Sequence, residues 1–251
     1  MSIENPPGII IRTEAQKAAF DNGFRIDEGM IDGWLRYSSA SADGDIWIAA
    51  TSPEGAWYLS ISHAGAASEI GKSDLGIIPS RFTYECNSLF DLYALISKVY
   101  RLGVSLPDVP LKLFHAETSR LPQNTEVERL VVQRIGQNLF RSALLEYWNS
   151  RCPITGLSDP ELLRASHIVP WAECETDEKR LDVYNGLLLS ALWDAAFDKG
   201  LLSFSDNGSV IFSSRLSDEA KHALGGEYCK IDGLTTQHKS NLEYHRKKFG
   251  F

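Results

Sequence analysis

The sequence predicts an α+β fold in two parts: an N-terminal β-meander-rich domain and a C-terminal domain centred on a strand, a loop, a second strand and a helix. Three observations carry this. Residues 33–62 hold three β-rich runs, 34–37, 45–50 and 56–61, separated by the turn signals Asp43-Gly44 and Pro53-Glu54-Gly55. Residues 88–102 and 126–149 repeat apolar side chains at helical spacing. Residues 163–204 are in turn apolar, charged, apolar and helix-like. The expected domains are 1–110, for target recognition or regulation, and 126–251. A linker over 111–125 joins them in a Pro-broken stretch that includes Pro107, Pro110 and Pro122.

Taken in order, residues 1–12 read as a tail or first strand, interrupted by Pro6-Pro7-Gly8. Thr13 could cap a short helix over 13–22. The three β-rich runs then form the meander, and residues 65–79 are loop-rich with room for a short helical piece. Leu89, Leu92, Leu95, Ile96 and Val99 mark a helix laid on the sheet. In the second part, Val131, Ile135, Leu139, Phe140, Leu144, Leu145 and Trp148 define the apolar face of a long helix over 126–149. Residues 163–169 read as a strand stopped by Pro170, 172–183 as a polar loop, and 186–190 as a second strand. Residues 191–199 have helix composition, with Gly200 as the stop. Residues 201–204 and 209–212 pair across the turn Asp206-Asn207-Gly208, and 235–248 is a last helix or an extended tail.

The chain has 251 residues and a net charge of −8, with −5 on residues 1–120 and −3 on 121–251. That balance argues mildly against nucleic acid, although a local basic surface can serve instead. No apolar run is long enough to span a membrane, and the N-terminus lacks a basic start and an apolar core, so a cytoplasmic, soluble protein is expected. Cys86, Cys152, Cys174 and Cys229 form no Cys-x-x-Cys pair, which disfavours a zinc ribbon and fits free thiols in a reducing compartment.

On the short helix, Asp194 and Asp198 stand four residues apart, so their carboxylates share one face. Two such carboxylates beside a strand histidine, His167, could hold a hard divalent cation. The same residues equally suit a solvated acid pair and a core histidine.

The stretch resembles the HNH endonuclease family, whose nuclease unit is a ββα-metal finger. The resemblance rests on Ser166-His167-Ile168, on Asn185, and on Asp194 and Asp198, nine and thirteen residues after the asparagine. The segments 166–171, 185–189 and 197–201, together with 151–156 and Tyr244-His245-Arg246, are similar to a subfamily found in bacterial restriction-like proteins. It covers roughly residues 129–251. Two departures stand out: Ser166 lies where many members have a metal-binding His or Asp, and the last motif is Asp and Asp rather than His.

The resemblance implies metal-dependent hydrolysis of DNA in restriction of foreign DNA, with dependence on base modification left open. It assigns His167 as general base, Asn185 as its orienting residue, and Ser166, Asp194 and Asp198 as the metal positions, a water completing the set since serine is a poor ligand. Oxygen donors favour Mg²⁺ or Mn²⁺ over softer ions. Double-stranded DNA is the expected partner, with homodimerisation open. Arg134, Arg141, Arg164, Lys199 and Arg246 are candidate DNA contacts, and His238, Lys239, His245, Lys247 and Lys248 extend a terminal basic surface. Trp171 and Trp193 read as packing residues. Trp34, Tyr37, Trp47, Trp57 and Tyr58 could line a base-reading pocket in the N-terminal domain or fill its core. The competing class is a non-catalytic DNA- or protein-binding module that keeps the fold; action on RNA is a third.

Overall fold

The computed structural model describes residues 3–71, 73, 79–80, 82–122, 124–225 and 229–251. The chain divides into two compact units, Met1–Val109 and Pro110–Phe251.

In the first unit, helix α1 (Ile9–Asp21) precedes strands β1 (Ile26–Ile31), β2 (Trp34–Ser38), β3 (Ile46–Ala50) and β4 (Trp57–Ile61). Helix α2 (Ala64–Ile70), strand β5 (Phe82–Cys86) and helix α3 (Leu89–Ser105) follow. The five strands form one antiparallel sheet in sequence order. The register Leu35↔Ile48↔Leu59↔Tyr84 puts these four side chains on one face of the pleat. The helices α1 and α3 pack on this sheet, where Phe20 meets Tyr37 edge-on at 6.1 Å. Of residues 1–12, expected as a tail or first strand, 9–12 enter α1 instead. Ile11, Ala15, Ala18 and Ala19 recur at helical spacing and are buried, and that face outweighs the β preference of Ile9-Ile10-Ile11. The meander is present and gains β1 and β5 at its ends. The short helical piece is α2, while residues 72 and 74–78 of the expected loop lie outside the described residues.

Of the two readings of the aromatics, a base-reading pocket or a core, the structure shows the core. Trp34, Tyr37, Trp57 and Tyr58 are each at most 3% exposed and fill the core. Trp47 is partly covered and carries Arg36 over its ring at 5.6 Å.

The linker expectation also needs correction. Helix α4 (Asp108–Thr118) occupies most of 111–125, and the division between the units falls in its first turn. Pro110 sits in that turn, where a missing N–H costs no hydrogen bond, so a residue read as a breaker begins a helix. Helix α5 (Glu126–Tyr147) starts with a capping box, Thr125 and Glu128 bonding each other's backbone N–H groups. Its buried face is Val132, Gly136, Phe140, Ala143 and Leu144, rotated from the expected one: Val131 is 49% exposed.

Strands β6 (Leu163–His167) and β7 (Gly186–Ser190) form an antiparallel hairpin in which Ser166 opposes Leu187 and His167 opposes Gly186. Between them the expected loop carries a short helix, α6 (Asp177–Leu181), capped by Thr176. Helix α7 (Ala191–Asp198) follows β7 directly. Strands β8 (Leu202–Phe204) and β9 (Val210–Phe212) pair as expected. Helix α8 (Asp218–Ala223) was not anticipated, and α9 (Thr236–Phe249) resolves the last segment as a helix. The hairpin packs α5 on one side and α7 on the other. Among the described residues no helix is long and apolar enough to cross a membrane.

Candidate active site

Strand alternation sends neighbours on β6 to opposite faces. His167 turns toward α5, where its imidazole stacks on Phe140 at 3.8 Å with 17° between the rings. Trp171 meets it edge-on at 5.6 Å. His167 Nε2 lies 2.8 Å from the Arg180 carbonyl oxygen, a geometry that makes Nε2–H the donor and leaves Nδ1 with its lone pair. Nδ1 has no hydrogen-bond partner among the described residues. Burial pushes the imidazole down to about 4, against a smaller upward pull from the Arg180 carbonyl, so the ring is neutral at pH 7.

Asn185 is fully buried at the end of a 3₁₀ turn, Val183–Asn185, and behaves as a loop staple. Its Oδ1 accepts from Val169 N–H at 2.8 Å, and its Nδ2 donates to the carbonyls of Val169 at 3.1 Å and Lys179 at 3.2 Å. The residue after Lys179 is Arg180, whose carbonyl holds the imidazole. Asn185 therefore acts on His167 through backbone, one residue removed. The Arg180 side chain reinforces the same loop, bonding the Cys174 carbonyl at 2.5 Å and Asp177 at 2.9 Å while lying over the Trp171 ring. Arg180 carried no motif, and its contribution is a backbone carbonyl that any residue has, so the sequence held no signal for it.

On the other face, the buried Ser166 hydroxyl donates to the Asp194 carboxylate. Asp198, one turn on, is solvent-exposed at the helix end. Neighbouring atoms that displace its hydration, and then the charge of Asp194, hold its carboxyl above the ordinary range, with Lys199 opposing. Ser166, Asp194 and Asp198 are thus brought together on the α7 side, and His167 stands one residue away facing α5. Among the described residues no three His, Cys, Asp or Glu side chains converge in a metal-binding group. The oxygen set still fits Mg²⁺ or Mn²⁺, which bind through one or two carboxylates and keep several waters, and it does not fit zinc in a closed site.

Most of the arginines expected on DNA are engaged within the fold. Arg141 donates to the carbonyls of Leu163 at 2.9 Å and Pro160 at 2.7 Å, tying α5 to the start of β6. Arg164 bonds the Glu161 carbonyl at 2.7 Å. Arg246 reaches the Phe204 carbonyl and Asp206, each at 2.6 Å. His245 is buried, stacked on Phe197 at 3.9 Å, and bonded to Ser203 Oγ and the Phe197 carbonyl. His238 is buried as well, and burial pushes both imidazoles down to about 4, so neither adds to a basic surface at neutral pH. Lys247 pairs with Glu243, and Lys248 with Glu173. Arg134 and Lys199 remain exposed, with side chains that make no hydrogen bond among the described residues.

Residues 152–205 match the family model described as HNH endonuclease, a segment that holds His167, Asn185, Asp194 and Asp198. No curated protein matches the chain.

Proposed function

We propose that the C-terminal unit hydrolyses phosphodiester bonds of double-stranded DNA with a divalent cation, as a restriction-type nuclease. The observation that carries this reading is the His167 imidazole, neutral and fixed by its Nε2–H, with Nδ1 left as the free acceptor inside a segment matching HNH endonucleases. Nδ1 takes a proton from the attacking water as the new P–O bond forms and the bond to the 3′ oxygen breaks. The leaving oxygen is reprotonated from solvent. Asp194 and Asp198 would hold the cation, which when bound neutralises charge on the phosphate and on the leaving oxygen. Ser166 serves this site indirectly: its hydroxyl occupies one Asp194 oxygen and turns the carboxylate. Phe140 and Trp171 keep water from the flanks of the imidazole and hold its plane. Arg134 and Lys199 supply contacts to neighbouring phosphates. The N-terminal unit directs or restrains cutting through surfaces other than its buried aromatics.

The test is incubation of the purified protein with modified and unmodified plasmid DNA in Mg²⁺, Mn²⁺ or EDTA. Nicked or linear product with either ion, and none in EDTA, is the expected result. Intact plasmid in every buffer, with the protein folded, would favour the non-catalytic binding module.

A further inference from the structure

A cleft of about 500 Å³ opens in the C-terminal unit between α4, α5 and the loop that carries Arg180. Phe114, Val132 and Trp171 line it with apolar surface, and His115, Arg129 and Gln133 add polar groups. We propose that this cleft receives one unstacked nucleotide of the DNA strand beside the phosphate being cut, with Gln133 reading its base and Arg129 holding its phosphate. The proposal rests on the nuclease reading above.

Continuity is the first argument. Trp171 lines the cleft and also meets the His167 ring edge-on, so the cavity begins one ring away from the proposed base. A strand with its scissile phosphate at His167 has a neighbouring nucleotide within reach.

Size and chemistry agree with that occupant. The volume lies in the range of a site for one small ligand. A nucleobase presents flat apolar faces to a floor such as Phe114, Val132 and Trp171, and hydrogen-bonding edges to an amide. The Gln133 side chain, half in and half out of the surface, makes no hydrogen bond among the described residues, so its donor and its acceptor are both free.

Charge separates this site from the rest of a chain whose net charge is −8. The carboxylate of the lining, Asp177, is already paired with Arg180 at 2.9 Å. Arg129 makes no side-chain hydrogen bond among the described residues, so the lining carries a guanidinium that no hydrogen bond occupies. A phosphate-bearing ligand fits that guanidinium.

A base can reach the cleft only after leaving the duplex stack, and this step costs least at an unpaired or damaged position. The protein should therefore prefer DNA with one unpaired nucleotide. Full-length protein would be titrated in EDTA into fluorescein-labelled duplexes, matched or carrying a single unpaired nucleotide, with anisotropy as the readout. Wild type is expected to bind the unpaired form about tenfold more tightly, a gain typical of one captured base. Arg129→Ala and Gln133→Ala should each erase most of that preference with unchanged thermal unfolding, since both side chains are free of intramolecular hydrogen bonds. Equal binding of the two duplexes by wild type, or a preference that survives both substitutions, overturns the proposal. Parallel cleavage assays in Mn²⁺ keep the two readings apart. A preference without cleavage removes the nuclease and leaves the cleft, and cleavage without a preference does the reverse.

Discussion

A general base must be neutral, oriented and within reach of water, and His167 meets the first two conditions through separate contacts. The Arg180 carbonyl selects the tautomer, and the Phe140 stack fixes the plane. Replacing the imidazole with a methyl group, His167→Ala, should lower the cleavage rate by about 10²–10⁴-fold, the usual worth of a positioned base. Plasmid cleavage kinetics measure this, and cleavage at the wild-type rate by a folded variant would remove His167 from the role. Nitrogen-15 NMR of the histidine ring should report the Nε2–H tautomer and a neutral ring down to about pH 5; a ring charged at pH 6 would contradict it. Asn185 makes a different prediction because its bonds are buried. Asn185→Leu keeps the volume and takes the side-chain partner from the Val169 N–H and from the Lys179 carbonyl, while the Val169 carbonyl keeps only the Cys174 thiol. The expected cost is about 2–4 kcal/mol, from two or more unsatisfied buried groups, read as a lower urea midpoint. A change below about 0.5 kcal/mol would mean that the loop holds itself without the staple.

At the scale of elements, the site depends on how closely α5 approaches the hairpin. Two glycines permit that approach. A Cβ on Gly186 would stand 2.6 Å from Phe140 Cζ, and one on Gly136 would run into the Trp171 ring. Gly136→Ala should therefore displace the Trp171 ring that meets His167 edge-on and cost about 1–3 kcal/mol by overpacking, with a loss of cleavage larger than the stability change explains. Thermal unfolding and kinetics on the same sample separate the two effects. The legibility of this layer in the sequence was uneven for physical reasons. The strands β6 and β7 and the helix α7 could be read because each carries a hydrophobic pattern, with Pro170 after β6 and Gly200 after α7 as stops. Strand β1, reading Ile-Asp-Glu-Gly-Met-Ile, could not, because it is exposed on both faces and shows no alternation. Helix α4 was hidden by Pro110. The spacing of Asp194 and Asp198 puts them on one helix face, and the roles proposed for them, for His167 and for Asn185 come from the family resemblance, whereas the Ser166–Asp194 contact joins residues 28 apart and the Arg180 carbonyl is invisible to any motif. Arginines suggested DNA contacts by type alone, and tertiary structure claimed Arg141, Arg164 and Arg246 for carbonyl groups instead.

For the whole molecule, three histidines of the C-terminal unit, His167, His238 and His245, are held neutral, each pushed by burial to about 4. Unfolding returns each to an ordinary value near 6.5, so between pH 6.5 and 4 the unfolded chain binds more protons. Stability should then fall on acidification through that window, by at most about 1.4 kcal/mol per pH unit for each histidine. Asp182, whose carboxyl burial raises, and Asp198, raised by displaced hydration and by the charge of Asp194, act in the opposite sense. Urea midpoints at pH 7.5, 6 and 5 test the sum, and a midpoint that rises toward pH 5 would contradict it. The division of the chain also places the useful cut for separating the units before Asp108, because a break near Thr118 would detach α4, and with it Phe114, from the unit it helps build. Last, among the described residues the sheet of the N-terminal unit ends at β1 with no further strand paired to it. Every residue of β1 is exposed, with Ile26, Met30 and Ile31 among them, and its pairing with β2 slips register between Asp27 and Met30 around Gly29. A sheet edge that carries exposed apolar residues is a template on which identical chains can stack. The register slip around Gly29 and the acids Asp27 and Glu28 interrupt the template midway. Deleting Gly29 would straighten the edge, and light scattering of the shortened protein should then rise with concentration and time where that of the parent stays flat.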